Sequence, residues 1–266
     1  MKPLHRLLFI AGAVAATLPA HAQSLRSFDD FSSGLLDASN WLEQDIESVR
    51  TVNGGRAVLA RRSFGGSGSD SGAGFESVAL SFGPADRVTA IAADVTIDAA
   101  EATGCAANPT PSATKLRLGG AFFNAGTRVE GSSVDDVVAQ LVWSRSSDST
   151  DPAGTLKVSG MVLRCTTADC SGFQVIGNTS SMGTVEAGGK LRVKLVWNRA
   201  SKSFTFRRSP GLPLTVNYTE DDAQAASKPG KSFSVRNTSA NCSTPPRGTT
   251  LLRARIDNVA VNSDAF

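Results

Sequence analysis

Histidine is nearly missing from this chain. Its two histidines, His5 and His21, fall within the first 22 residues. That segment, MKPLHRLLFIAGAVAATLPAHA, has the build of a secretory signal. Lys2 and Arg6 precede an apolar core from Leu7 to Leu18, and a small-x-small cleavage site precedes Gln23. The core is too short to span a bilayer comfortably, and no later apolar run approaches the ~20 residues a membrane helix needs. The expectation is an exported chain, periplasmic or extracellular, with residues 23–266 in one domain. Without histidine, that chain cannot run Ser-His-Asp or Cys-His catalysis or bind a metal through imidazole.

Cysteine is scarce too, and the four present are Cys105, Cys165, Cys170 and Cys242. No Cys-x-x-Cys pair occurs, which argues against a four-thiolate zinc site. An even count in an exported chain predicts two disulfides. Cys165 and Cys170 enclose the short segment RCTTADCSG between two strand-like runs, so they staple a hairpin. Cys105 and Cys242 then pair by elimination and close a long loop, the more stabilising closure in the chain-entropy account.

Excess charge is also lacking. Removing Lys2 and Arg6 leaves 25 basic residues against 24 acidic ones, a net +1. Nothing in that balance calls for nucleic acid or a membrane surface as partner. Aromatic residues make up 6% of the chain, with one tyrosine, Tyr218. Trp143 shares strand parity with Val137, Ala139 and Leu141, and Trp197 with Leu191, Val193 and Leu195. Both are therefore expected in the core, not as platforms for sugar rings.

What is abundant is two-residue alternation broken by Gly, Ser, Asn, Asp and Pro. RAVLARR, RVTAIAADVTID, KLRLGGAFF, DDVVAQLVWSR, TLKVSGMVLRC, KLRVKLVW and LLRARIDNVAV all read as half-buried strands. The Asn-Gly-Gly of VNGGRA is a hairpin turn. Only LLDASNWLEQDIESV suggests a short helix, and TEDDAQAASK at most a turn of one. Strands and helices do not alternate, so a parallel α/β sheet is excluded. The expected class is all-β, a sandwich of two antiparallel sheets.

The chain's two ends add a resemblance. FDDFSSGLLDASNW, then VNGGRAVLARRS, and finally LRARIDNVAVN resemble the opening and closing strands of concanavalin A-like lectin/glucanase jelly rolls, laminarinases and lichenases among them. The resemblance implies a jelly roll whose last strand lies beside its first. In the glucanases it also implies two glutamates with an acid between them along one strand. No Glu-x-Asp-x-Glu or Glu-x-Asp-x-x-Glu occurs here. The nearest candidates, Asp94 and Asp98 in AADVTID, stand roughly 13 Å apart along a strand. That is too far for either geometry of glycoside hydrolysis.

The resemblance further implies a structural calcium held by the backbone carbonyls of Asp30 and Gly55 (or Gly54) and by the carboxylate of Asp257. Asp29 and Asp30 are then entry-strand residues, not catalytic acids. Outward parity exposes Lys115, Arg117, Gln140, Arg192 and Lys194. If their strands share the concave sheet, they form a basic groove suited to acidic glycans. The first reading is a noncatalytic carbohydrate-associated protein. The alternatives are a divergent hydrolase or lyase, with Tyr218 or a lysine as base, and a structural or adhesion protein of the cell surface.

Overall fold

The structure, a computed structural model, describes residues 24–42 and 49–265. The signal-like segment therefore lies outside the described residues. Sixteen strands follow one another. They begin with β1 (Leu25–Asp29), β2 (Trp41–Leu42), β3 (Val49–Val52), β4 (Ala57–Phe64), β5 (Ala73–Phe82) and β6 (Ala90–Thr103). Next come β7 (Ala113–Asn124), β8 (Asp136–Ser146), β9 (Leu156–Cys165), β10 (Phe173–Val185) and β11 (Lys190–Asn198). The chain closes with β12 (Ser203–Ser209), β13 (Leu214–Asn217), β14 (Gln224–Ala225), β15 (Lys231–Ala240) and β16 (Thr249–Asn262).

These strands form two antiparallel sheets packed as a β-sandwich. The first runs β13-β12-β11-β6-β16-β4-β3, with β1 also on β16. The second runs β10-β9-β8-β7-β15-β5-β2, with β14 on β7. The first and last strands are neighbours, with Leu25 opposite Asn262 and Asp29 opposite Val259.

Alternation decides what each strand buries. On β7, Thr114, Leu116 and Leu118 face inward while Lys115 and Arg117 face outward. On β8, Val137, Ala139, Leu141 and Trp143 enter the core as their parity predicts. Trp197 is half-buried against that core, and its indole N–H donates to the Tyr218 hydroxyl at 2.7 Å. A second aromatic group gathers Phe28, Phe31, Trp41, Phe82 and Phe233, with ring centroids 4.9–5.9 Å apart along the chain of contacts.

That second group accounts for FDDF. Phe28 and Phe31 are buried. Asp29 accepts the backbone N–H of Phe31 and the indole N–H of Trp41, both at 2.7 Å. Asp30 accepts the N–H of Ser32. The paired acids fasten the chain's entry. In the β3–β4 hairpin, Gly54 and Gly55 both take positive φ, the requirement of the primed turn that Asn-Gly-Gly signals.

No helix forms in the described parts of the two segments expected to hold one. Residues 35–42 turn and then enter β2. Asp37 takes both the N–H and the hydroxyl of Ser39, and its carbonyl accepts the N–H groups of Asn40 and Trp41, so one capped turn leads straight into β2. The remainder of that expected helix, residues 43–48, lies outside the described residues. In TEDDAQAASK, Gln224 and Ala225 pair with β7 as β14. The two disulfides join Cys105 to Cys242 and Cys165 to Cys170.

Candidate functional site

The outward face of the second sheet carries a groove of ≈ 480 Å³ floored by β7, β8, β9 and β15. At one end stand Lys115, Arg117 and Arg236, and in the middle lie Gln140, Met161 and Ser234. The far end holds Asp136, Lys228 and the disulfide-closed rim with Asp169, Ser171 and Phe173. Register brings the cations together. Lys115 faces Arg236 across β7 and β15, and Arg117 faces Ser234.

Like charges set directly opposite on neighbouring strands are destabilising. No carboxylate among the described residues lies within ion-pair distance of these three. Burial, then Arg236, draws Arg117 down to about 10. Burial, then Arg117 and Arg236, also lowers Lys115. The Arg117 Nε is buried without a hydrogen-bond partner. Arg236 lies over the ring of Phe75, 5.9 Å from its centroid.

The groove's acids are already occupied. Asp136 is fully buried and accepts the N–H groups of Ser227 and Lys228 and the amide of Asn124. It anchors the segment leading into β15. Asp169 accepts from Thr167 and Ser171, which hold its carboxyl at about 2. The Gln140 amide donates to the Met161 sulfur at 2.9 Å. The floor glycines serve the backbone. A Cβ on Gly119 would lie 2.0 Å from the Ala139 carbonyl oxygen, and one on Gly120 1.9 Å from that of Gly230.

Of the five outward residues expected to form a groove, Lys115, Arg117 and Gln140 line this one together. Arg192 and Lys194 do not, because β11 belongs to the first sheet and carries them on that sheet's outer face. Arg192 there donates to Asp94 and to the Asn258 carbonyl. Asp94 also meets Lys190 at 2.9 Å, and Asp98 meets Arg255 and Arg253. These two acids of AADVTID are ion-pair partners on the wrong sheet for the groove. Tyr218, the candidate base, is buried away from it. Its hydroxyl donates to Asp222 at 2.6 Å, and burial with that carboxylate pushes it well above the usual tyrosine range.

Sequence reasoning missed Arg236, Ser234, Lys228 and Met161. The parity of KSFSVRNTSA aligns Arg236 with Ser232 and Ser234. Only the pairing of β15 with β7 puts that row beside Arg117.

The positions expected to hold calcium meet at another corner. Asp29, just before Asp30, lies opposite Val259. Gly55 closes the hairpin leading to Ala57, which pairs with Ile256 next to Asp257. The corner's carboxylate is already engaged. Asp257 accepts the Asn258 N–H and sits 3.6 Å from the Arg56 guanidinium. Calcium takes six to eight oxygens. Asp257, the carboxylate expected to bind the ion, would have to leave Arg56, whose side chain is 41% exposed, to offer both its oxygens.

No family model matches this chain, and no curated protein matches it. Solved structures similar to it include the κ-carrageenase from Pseudoalteromonas carrageenovora, in complex with an oligotetrasaccharide of κ-carrageenan. Its TM-score is 0.44 at 8% identity, covering 92% of this chain and 99% of that one. An endo-β-galactosidase from Clostridium perfringens gives 0.49 at 9% identity, covering 94% and 65%. A Bacillus licheniformis β-glucanase gives 0.43 at 8% identity, covering 92% and 99%.

Proposed function

We propose that this protein is an exported, noncatalytic carbohydrate-binding sandwich that holds a polysaccharide segment in the groove of the second sheet. One observation carries the reading. The groove is lined with cations, hydroxyls and an amide, while both of its carboxylates are consumed by local donors. Glycoside hydrolysis needs one carboxyl that holds a proton near neutral pH. Asp169, held at about 2, is unsuited to that work. Export is supported by the signal-like segment and the two disulfides. Among the described residues, no helix is long and apolar enough to cross a membrane.

Affinity electrophoresis and calorimetry against a panel of neutral and acidic polysaccharides, with a reducing-end assay alongside, test the proposal. Retardation without new reducing ends is the expected result. Binding to none of the polysaccharides overturns it.

A lyase reading has one observation in its favour, the lowered Lys115 amine beside Arg117. In that reading the neutral Lys115 amine takes the proton from the carbon bearing a uronate carboxylate that Arg117 neutralises; a carbon–carbon double bond forms as the glycosidic C–O bond breaks, and that proton passes on to the leaving oxygen. Ultraviolet absorbance from an unsaturated product would decide for it.

Structural calcium at the Asp30–Gly55–Asp257 corner is proposed with Arg56 as its competitor. Added calcium should raise the melting temperature, and more so in Arg56→Gln. No rise in either protein removes the ion from the account.

A further inference from the structure

Resting on the groove reading above, we infer that the ligand is an anionic glycan whose sulfate or carboxylate group docks on Lys115, Arg117 and Arg236. The two anions share one chemistry, several acceptor oxygens carrying negative charge.

Three independent features point there. The cations come from adjacent strands in fixed register, so one anionic group can meet more than one of them. No carboxylate answers them, although the fold places acids beside cations elsewhere, as at Asp94 and Asp98. The buried Arg117 Nε lacks any acceptor among the described residues, and unlike Arg61, whose Nε is also unbonded but which pairs with Glu76, Arg117 has no carboxylate partner either. Charge-assisted bonds to an anionic oxygen supply what is missing.

The neighbours suit a sugar ring. Ser232 and Ser234 are small and hydroxylated, and Gln140 and Met161 lie beside Arg117 on the floor. A second space of ≈ 460 Å³ shares Lys115 with the groove and continues past Ser144 toward Lys157. Lys115 therefore stands at a junction, and a chain passes over the triad instead of ending on it. In that second space Lys157 meets Asp151 at 3.7 Å, and Arg145 donates to the carbonyls of Pro152 and Thr155. The unanswered charge is concentrated on the triad.

The test measures affinity for dextran, dextran sulfate, polygalacturonate and its methyl ester. It uses wild type, Arg117→Gln, Arg236→Gln and, as a control on the first sheet, Lys194→Gln. Dextran sulfate or polygalacturonate should bind at least tenfold tighter than its neutral counterpart, and whichever does so identifies the anion. Either triad variant should lose at least tenfold, with Lys194→Gln unchanged. Equal binding of charged and neutral polymers overturns the anionic inference and leaves the groove reading standing. Equal loss from Lys194→Gln also overturns it, as attraction to the whole surface. Binding of none removes both.

Discussion

On the outer face of the first sheet, Asp94 lies between Lys190 and Arg192, and Asp98 between Arg253 and Arg255. On the outer face of the second, Lys115, Arg117 and Arg236 have only one another. The strands, the pleat and the residue types are the same. Charge on the first face is largely internal, and among its described cations Arg62, Lys194 and Arg207 lack a carboxylate within 4 Å. On the second face the unanswered charges are gathered into a concavity. Exposed ion pairs contribute little to stability. What distinguishes the faces is thus what each leaves available to a ligand.

The largest expected effect concerns a cation under the second sheet. Lys231 is 2% exposed, donates to the Ala85 carbonyl and lies over the Phe122 ring. Burial draws its amine down to about 7, against partial opposition from Asp86 and Asp136. The unfolded chain stays protonated to about 10.4, so it binds more protons than the fold between those values. Stability from this group must therefore rise with pH, by on the order of 4 kcal/mol between pH 7 and 10. Denaturant melts across that range should show the rise in wild type and lose it in Lys231→Met. A flat wild-type profile contradicts the assignment.

Next in size, Ser234→Glu would make the second face resemble the first, since Ser234 pairs with Arg117. Affinity for an acidic glycan should fall more than tenfold while the melting temperature holds or rises. Asp98→Asn does the reverse on the first sheet, leaving Arg253 and Arg255 unanswered. It should cost up to about 1 kcal/mol, less in high salt, with glycan affinity unchanged. Smallest is Arg236→Gln, where relief of repulsion against Lys115 should add a few tenths of a kcal/mol in chemical denaturation.

Much of the fold was legible from local pattern. Alternation reported strands β4, β6–β9, β11 and β16 and the inward parity of Trp143, because side-chain direction follows sequence spacing. The pairing of Cys165 with Cys170 followed from proximity, and that of Cys105 with Cys242 by elimination. The site was half legible. Lys115, Arg117 and Gln140 declared an outward face, but so did Arg192 and Lys194, and sheet membership depends on pairing between distant strands. Arg236 stayed hidden among serines for the same reason. In the described part of the helix expected near Trp41, a single turn from Asp37 gives way to β2, because Trp41 pairs with Phe82 of β5, a long-range pairing that local pattern does not reveal.

The central claim is that anionic glycan is met by the unpaired cations of the second sheet and not by the paired ones of the first. Arginine side-chain Nε–H resonances, assigned by single substitution and followed as dextran sulfate or polygalacturonate is added, test it most directly. The account predicts large shifts for Arg117 and Arg236, with Arg192, Arg253 and Arg255 nearly still. Shifts spread evenly over both faces, or confined to the first sheet, would contradict it.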